Sequence, residues 1–210
     1  MLENYARDEY GIVKQVKTNP ISYTKDYIEN SYVKYGELTN YMSYLRLGNL
    51  IGSLGKIPES ILDIGYGNGS FLEVCSNAIS NCYGYDISTY PLPEGVEFVS
   101  DMTSQYFEVI TLFDSLEHFE NIDFVKDLNC SYICITVPNC HYINDEWFEK
   151  WKHRRPDEHL WHFNEESLCK YMVSNGYELL TSSNVEDIIR KNTSQEETNI
   201  LTCVFKKVVR

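Results

Sequence analysis

A glycine-rich turn is the feature of this 210-residue sequence whose spacing points most directly to chemistry. Gly65, Gly67 and Gly69 follow a short apolar run that ends at Ile64. Glycine suits a strand-to-helix turn because the chain can adopt positive φ there, and because a side chain would collide with a bound molecule. The free N–H groups of the following helix can receive an anionic group. The turn therefore predicts a loop that a phosphate or carboxylate can approach.

Acidic residues accompany this turn near the ends of the predicted strands. Asp63 precedes the first glycine, Asp86 ends the next strand, and Asp101 follows the third. Asp86 lies 21 residues after Gly65, close to the roughly 20-residue offset of an acid that binds ribose hydroxyls. Asp101 and Met102 together offer an acid and an apolar side chain to an adenine. The alternative for the glycines alone is a tight structural turn, which would not require these acids.

The glycine spacing also separates two classes of cofactor. A dinucleotide fingerprint is G-x-G-x-x-G, whereas here position 70 is Ser and the glycines run G-x-G-x-G after Asp63. This arrangement resembles the first motif of class I S-adenosylmethionine-dependent methyltransferases, with Asp86 and Asp101 matching the second and third motifs. The resemblance covers roughly residues 45–205 and implies S-adenosylmethionine as the cofactor. An NAD-type enzyme is the alternative.

The resemblance also implies which residues contact the cofactor. Gly65 and Gly67 would lie near its methionine part, Asp86 on the ribose and Asp101 on the adenine side. Arg46 is the candidate partner of the cofactor's carboxylate, since a guanidinium binds that group in a bidentate manner; a solvated helix residue is its alternative role. The predicted cofactor-binding residues are Arg46, Asp63, Gly65, Gly67, Asp86, Asp101, Met102 and Asp114.

All five histidines lie between residues 118 and 162, in the region that faces the transferred methyl group in this fold. Residues 113–118 read Phe-Asp-Ser-Leu-Glu-His and follow strand four. This stretch resembles the E-x-x-E-H segment of the ubiquinone-biosynthesis O-methyltransferases. It also resembles the small-RNA 3′-terminal 2′-O-methyltransferases, in which two acids and two histidines bind a divalent ion. The residues that match are Asp114, Glu117, His118 and His159, with Asp in place of the first Glu.

Three interpretations of this cluster stay open. A divalent cation (Mg, Mn, Fe or Zn) held by Asp114, Glu117, His118 and His159 would lower the pKa of a substrate hydroxyl. A metal-free site would instead use His118 or His159 as the catalytic general base. In a purely structural cluster these side chains would only cap a helix or pack. His141 is interpreted as a surface or substrate-side residue, and so is His153.

Two groups of aromatic residues could line the substrate pocket. In the insert at 139–163, three tryptophans interleave with basic residues: Trp147, Trp151 and Trp161 with Lys150, Lys152, Arg154 and Arg155. This pattern fits an anionic or sugar-like substrate, and it equally fits an amphipathic helix packed on the core. A possible aromatic cap over the substrate consists of Tyr23, Tyr27, Tyr32 and Tyr35.

The elements that must position these residues follow from the apolar pattern. After residue 58, short apolar strands alternate with helical stretches, which is typical of a parallel sheet with helices on both faces. Strands are predicted at 61–64, 81–86, 96–99, 107–113, 132–137, 177–181 and 200–206, and helices at 70–79 and 165–175. Residues 1–57 are predicted to be helical. The spacing of Tyr41, Tyr44, Leu47, Ile51 and Leu54 indicates an amphipathic helix that ends at Gly55.

The predicted fold class is therefore α/β, with a Rossmann-like, seven-stranded, mostly parallel sheet whose last strand is antiparallel. Residues 1–57 are expected to form a helical N-terminal cap, and residues 58–210 the methyltransferase core, with a substrate-side insert at 139–163. No internal repeat or Pro/Gly linker divides the chain.

Composition limits the partners and the compartment. The chain has 18 Lys and Arg against 31 Asp and Glu, a net charge of −13, which repels phosphate backbones and makes nucleic acid a disfavoured partner. Its seven cysteines lack C-x-x-C spacing, as expected of buried thiols in a reducing cytoplasm. The N-terminus has no signal-peptide pattern, and no apolar run approaches the roughly 20 residues that span a bilayer. We therefore expect a cytoplasmic protein without a membrane partner; its oligomeric state stays open.

Together these features predict methyl transfer from S-adenosylmethionine to an oxygen of a small molecule, such as a sugar or a nucleotide-linked metabolite. Nitrogen is the less favoured target, and assistance by a divalent metal stays open. One alternative keeps the enzyme class with RNA or DNA as the substrate. Another is a non-catalytic protein that retains the fold.

Overall fold

The computed structural model describes residues 2–26, 29, 38–190 and 197–208. In chain order the strands and α-helices are β1 Tyr5–Arg7, β2 Val13–Gln15, α1 Leu38–Leu54, β3 Ser60–Ile64, α2 Ser70–Cys75, β4 Asn81–Tyr85, β5 Val96–Phe98, β6 Phe107–Phe113, β7 Cys130–Pro138, α3 Asp145–Lys150, β8 Trp161–His162, α4 Glu165–Ser174, β9 Tyr177–Ser183 and β10 Ile200–Lys207. Short 3₁₀ helices lie at Leu116–His118, Asp123–Asp127 and Val185–Ile188.

The central sheet has seven strands in the order β5-β4-β3-β6-β7-β10-β9. The first five of these strands pair in parallel. β10 pairs antiparallel with both β7 and β9. The predicted fold class, a mostly parallel sheet with an antiparallel last strand, is confirmed. The strand order reverses between β3 and β6, and an open α/β sheet binds its ligand at the carboxyl edge beside such a switch point.

Helices cover both faces of this sheet. On one face, Leu47 and Leu50 of α1 pack with Phe71 of α2. On the other face, Leu168 and Met172 of α4 pack against the strands. Because neighbouring residues of the central strands face opposite sides, these strands are apolar at nearly every position, as the sequence pattern indicates.

Helix α1 ends where the sequence predicts, although its buried face differs from the predicted one. Gly55 follows its last residue with φ +67 and donates its N–H to the carbonyl of Ile51 at 2.9 Å, a common way for a helix to end. Leu47 and Leu50 are buried. Tyr41 and Tyr44, which the apolar spacing assigned to the buried face, are 59% and 64% exposed.

Helix α2 is shorter than the predicted 70–79 because polar side chains bond its last turn. Ser76 and Asn77 each donate a side-chain hydrogen bond to the carbonyl of Glu73. Such bonds offer the backbone an alternative to a further helical turn. The helix therefore ends at Cys75.

The expectation of a wholly helical segment at 1–57 is wrong at its beginning. β1 and β2 form an antiparallel pair, and β2 pairs with β8 of the insert to make a three-stranded sheet. The turn between β1 and β2 is made by Asp8, whose Oδ1 accepts from the N–H groups of Tyr10 and Ile12, and by Gly11 at φ +90. Asp and Gly favour turns, and a continuous helix over residues 1–57 would have placed both of them in its interior. The N-terminal strands and the insert therefore share one small sheet.

In the part of the chain that the structure describes, none of the helices combines the length and the apolar character that a membrane span requires.

Candidate functional site

The glycine turn connects β3 to α2 at the carboxyl edge of the sheet. Gly65 and Gly67 have φ of +80 and +57, values that favour glycine over residues with a Cβ. The N–H of Gly65 donates to the carbonyl of Tyr85 at 2.7 Å. A Cβ on Gly65 would lie 2.6 Å from the Cβ of Ser115. Ser115, which the sequence analysis did not single out, thus makes glycine necessary at position 65.

Asp86 lies against this turn. Its carboxylate accepts from the N–H of Gly67 at 2.9 Å and from the N–H of Ser88 at 2.7 Å. These two bonds engage different carboxylate oxygens, and each oxygen has a further lone pair. The carboxylate is therefore fixed beside the glycine turn with capacity left to accept hydrogen bonds from hydroxyl groups.

Asp101 and Met102 follow β5 at the same edge of the sheet. Asp101 is exposed, and its Oδ1 accepts from the Thr103 hydroxyl at 2.7 Å and from the Thr103 N–H at 2.9 Å. These bonds lower the pKa of Asp101 below its ordinary value. Met102 is partly buried against the core. Parallel strands thus bring the two predicted adenine-side residues to the edge that carries the turn.

Asp63 lies inside the sheet, 3% exposed. Its Oδ1 accepts from the hydroxyl of Thr111 on β6 at 2.7 Å. Burial raises the pKa of Asp63 to about 6, although the Thr111 hydroxyl and the charge of Arg46 oppose the shift. The carboxyl therefore supports the strand that leads into the glycine turn.

A change of Asp63 to Asn is expected to remove a pH dependence of stability. Because the folded-state pKa lies above the ordinary value of 3.8, this carboxyl contributes most below that value and its contribution is lost as the pH rises through about 6. The shift corresponds to about 3 kcal/mol. Urea unfolding of both proteins at a series of pH values measures it: the stability of the variant relative to the parent should increase between about pH 4 and pH 7. A constant difference across that range would contradict the assignment.

Arg46 is engaged by carboxylates of the chain itself. Its Nε donates to Glu186 at 2.6 Å and its Nη2 donates to Asp114 at 2.6 Å. Arg190 donates from Nη2 to the same two carboxylates, at 2.6 Å to Glu186 and 2.5 Å to Asp114. Glu186 is completely buried. Neither Glu186 nor Arg190 was among the predicted site residues, although their i,i+4 spacing is a typical pairing signal.

Asp114 follows β6 with φ +50, a left-handed conformation that is uncommon outside glycine. Burial alone would raise its pKa, but Arg190 and Arg46 outweigh this effect and hold the pKa well below its ordinary value. Both arginines use the Oδ2 atom. Asp114 is thus an ionised carboxylate tied to two guanidinium groups.

Glu117, His118 and His159 come together directly beyond Asp114. Each offers one potential ligand atom, and these atoms lie within 4.8 Å of one another. Both carboxylate oxygens of Glu117 and the Nδ1 of His159 are buried without a hydrogen-bond partner among the described residues. Buried polar atoms without partners are rare in native proteins and require an explanation. Three of the four predicted metal ligands therefore form a compact group, while the carboxylate of Asp114 is bound to the arginines.

The hydrogen bonds of His118 determine which of its ring nitrogens carries a proton. Nδ1 lies 2.9 Å from the carbonyl oxygen of Glu158 and 2.7 Å from the hydroxyl of Tyr23. Because a carbonyl oxygen can only accept, Nδ1 must donate, and Nε2 of the neutral ring keeps its lone pair. Nε2 lies 3.9 Å from a carboxylate oxygen of Glu117. His118 therefore presents a basic nitrogen to the cluster.

The buried surroundings keep these three side chains uncharged. Burial, followed by the charge of Asp114, raises the pKa of Glu117 well above its ordinary value. Burial also lowers the pKa of His118, and it lowers the pKa of His159 to about 2. Neutral imidazoles can accept a proton or bind a metal ion, and a buried carboxyl without a partner would become ionised if a cation were present. The group is thus chemically suited both to accepting a proton from a substrate and to binding a metal ion.

Of the remaining residues of the insert that the sequence analysis singled out, His153 lies beside the histidine cluster and several others have partners elsewhere in the chain. The ring of His153 stacks parallel to that of His159 at 6.4 Å, so His153 lies beside the cluster. His141 bonds to the carbonyl of Thr198 instead. Trp147 and Trp151 stack on each other at 5.4 Å. Arg154 lies over the ring of Tyr5, Lys150 pairs with Glu146 and Arg155 pairs with Glu158. Three of the four predicted anion-binding cations therefore have partners within the chain. Tyr27, Tyr32 and Tyr35 lie outside the described residues.

Comparison with known proteins identifies the family. A family model described as a methyltransferase domain matches residues 35–182. The chain belongs to this methyltransferase family. The match covers well over half of the sequence, including the glycine turn, the acids of the sheet edge and the histidine cluster. The predicted enzyme class, a S-adenosylmethionine-dependent methyltransferase, is confirmed. A search among curated protein sequences gave no significant match.

Solved structures of methyltransferases share the fold of this enzyme. Magnesium protoporphyrin IX methyltransferase from Synechocystis, solved with bound S-adenosylhomocysteine, has 15% identity and a TM-score of 0.56, over 80% of this chain and 82% of that one. The 1,6-didemethyltoxoflavin-N1-methyltransferase of Burkholderia thailandensis, also with bound S-adenosylhomocysteine, has 14% identity and a TM-score of 0.57, over 98% and 100%.

The methyltransferase domain of bacterial CtHen1-C has 16% identity and a TM-score of 0.56, over 78% of this chain and 97% of that one. At such identities the likeness establishes the fold. The narrower resemblance to ubiquinone-biosynthesis O-methyltransferases stays a prediction.

Proposed function

We propose that this methyltransferase transfers the methyl group of S-adenosylmethionine to an oxygen of a small molecule. The observation that carries the proposal is the position of the basic Nε2 of His118. Ser115, which packs on Gly65 of the glycine turn, lies three residues before His118. An acceptor held at His118 would therefore lie close to a cofactor held by the turn.

The cofactor would bind along the carboxyl edge of β3, β4 and β5. Gly65 and Gly67 let its methionine part approach the backbone, Asp86 accepts from the ribose hydroxyls, and Asp101 with Met102 lies on the adenine side. Arg46 is proposed to bind the cofactor's carboxylate, which would take over the guanidinium contact that Asp114 makes in this structure. The ion pair between Arg46 and Glu186 would keep that guanidinium oriented.

A general base favours an oxygen acceptor. A hydroxyl oxygen is a weak nucleophile until a base removes its proton, whereas the nitrogen of a neutral amine is nucleophilic enough to attack the sulfonium methyl group before it loses a proton. The Nε2 atom of His118 can accept this proton while Nδ1 stays bonded to the carbonyl of Glu158. His159, whose Nδ1 has no partner among the described residues, can bind and orient the acceptor.

The same cluster also fits a divalent cation. Glu117, His118 and His159 would hold it, and their unpartnered buried atoms are the observation that supports the fit. When bound, a cation such as Mg, Mn, Fe or Zn lowers the pKa of a coordinated hydroxyl. Asp114, the fourth residue of the predicted ligand set, is not part of this compact group, and its Oδ2 pairs with Arg46 and Arg190 in this structure. A small acceptor is favoured because the net charge of −13 repels nucleic acid.

Methyl-transfer assays with labelled S-adenosylmethionine test the function. Panels of hydroxyl-bearing and amine-bearing small molecules, and a short RNA, serve as acceptors. We expect transfer to hydroxyl compounds and a loss of about 100-fold or more in the His118→Ala variant, since a positioned base contributes typically 10²–10⁴-fold. Transfer confined to amines or to RNA would overturn the acceptor class. Absence of any heat with S-adenosylhomocysteine in calorimetry would overturn the cofactor assignment.

Calorimetry with Mn²⁺ or Zn²⁺ alone separates the metal from the metal-free base. If the cluster binds a cation, Glu117→Gln should weaken binding by at least about tenfold, as losses of a metal-site residue typically do, and a chelator should abolish methyl transfer. Glu120→Gln is the matched control, because Glu120 is an exposed residue of the same type three positions away. Full activity in excess chelator would contradict metal assistance and would support His118 as a general base that acts without a metal.

A further inference from the structure

The segment that follows β2, residues 16–26, crosses from the small sheet toward the histidine cluster; we refer to it as the strap. One residue of the insert, Asp157, holds it. The Oδ1 of Asp157 accepts from the side chain of Gln15 at 2.8 Å and from the N–H of Asn19 at 2.9 Å. Its own N–H donates to Gln15 at 2.9 Å, and its carbonyl accepts from the N–H of Ile21 at 3.2 Å. The bonds at Asn19 and Ile21 attach the strap to the insert, and the two bonds at Gln15 attach the end of β2, where the strap begins. We call these four bonds together the Asp157 clamp.

The backbone of Asp157 has φ +66. For a residue with a Cβ this conformation costs roughly 1–2 kcal/mol, and Asp is among the few that tolerate it. The strained conformation is retained at the position where main chain and side chain together hold the strap. Strain at such a position is consistent with a role in placing another group.

The strap places Tyr23 on His118. The Tyr23 hydroxyl lies 2.7 Å from Nδ1 of His118, and the two rings meet edge-on with centroids 5.6 Å apart. The second partner of that nitrogen is the carbonyl of Glu158, the residue that directly follows the clamp. Both groups that bond Nδ1 are therefore positioned by Asp157 and its neighbour.

We propose that Tyr23 is a positioning residue for methyl transfer, placed by the Asp157 clamp. Together with the Glu158 carbonyl, its hydroxyl oxygen accepts from Nδ1 and keeps the ring proton there. The lone pair of Nε2 is thereby held toward Glu117 and the acceptor. The consequence for the reaction rests on the proposed role of His118 as an acceptor-side group. The placement itself is independent of that role.

The ring tautomer of His118, measured by ¹⁵N NMR in the full chain after treatment with a chelator, tests this proposal. Three variants are compared with the parent protein. Asp157→Gly suits the positive φ but removes the side-chain acceptor, Asp157→Asn keeps an acceptor oxygen, and Tyr23→Phe removes only the hydroxyl. We expect the parent and Asp157→Asn to carry the proton on Nδ1. In the other two variants the tautomer ratio should shift about fivefold toward Nε2–H, the equivalent of one ordinary hydrogen bond.

An unchanged tautomer in Tyr23→Phe would overturn the proposal, even if Asp157→Gly failed to fold. So would an unchanged tautomer in a folded Asp157→Gly whose strap is cut faster by protease. Calorimetry with S-adenosylhomocysteine on the same samples keeps the two proposals apart. If the tautomer shifts but the protein does not bind this ligand, the role of Tyr23 is supported and the proposed function fails. If the protein binds the ligand but the tautomer does not shift, the cofactor assignment stands and the role of Tyr23 fails.

Discussion

Replacing Gly65 with alanine is expected to lower the affinity for S-adenosylhomocysteine by about 100-fold or more, about 2.7 kcal/mol. The new Cβ would lie 2.6 Å from the Cβ of Ser115. Ser115 cannot readily move, because its hydroxyl donates to the carbonyl of Ile64 at 2.8 Å. The glycine turn must therefore shift, and with it the backbone that the cofactor's methionine part is proposed to approach. Isothermal calorimetry measures this affinity directly.

Gly95→Ala is the matched control for this change. Gly95 has φ +79, nearly the +80 of Gly65, but nothing lies within 4 Å of the position that its Cβ would take. Both variants should therefore lose roughly 1–2 kcal/mol of stability from backbone strain, and Gly65→Ala should lose more because of its contact with Ser115. Thermal unfolding measures both losses. Only Gly65→Ala should lose ligand affinity. Equal affinities of the two variants would show that the cofactor does not depend on this turn.

Removal of the Glu186 carboxylate is expected to cost about 3–5 kcal/mol of stability in the Glu186→Ala variant. Glu186 is completely buried and bonds both Arg46 and Arg190. Its loss leaves two buried guanidinium groups with the single carboxylate of Asp114. An uncompensated buried charge is strongly destabilising, even where the intact ion pair contributes little net stability. Chemical denaturation of the parent and the variant measures the difference.

Glu166→Ala is the control for this second prediction. Glu166 and Lys170 form an i,i+4 ion pair with the same spacing as Glu186 and Arg190, but their side chains are 76% and 55% exposed. Such an exposed pair is screened by solvent and contributes little net stability, so Glu166→Ala should be nearly neutral. A similar small loss in both variants would show that the guanidinium groups find other partners, and that the buried network does not depend on Glu186.

Much of the fold could be predicted from the sequence because local runs of apolar residues indicate the strands. Phe107–Phe113 was predicted with its observed bounds, and the other strands of the central sheet with small changes at their ends. Uninterrupted apolar runs specify strands that are buried on both faces. The N-terminal strands could not be predicted, because three-residue strands such as Val13–Gln15 have too few positions to show a period. Their stability depends on pairing with Trp161–His162, which is distant in sequence.

The candidate site shows the same contrast between residues that local patterns indicate and contacts that depend on long-range packing. Sequence patterns predicted the glycine turn, the acids of the sheet edge and the grouping of Glu117 with His118. These residues lie at strand ends or beside one another in the chain, and a parallel sheet brings its strand ends to one edge whatever the details of packing. The partners of these side chains, by contrast, follow from long-range packing. Gln15 meets Asp157 across 142 residues, and Arg46 meets Glu186 across 140. No local period encodes such pairs, because they depend on how the strap, the insert and α1 pack on the finished sheet.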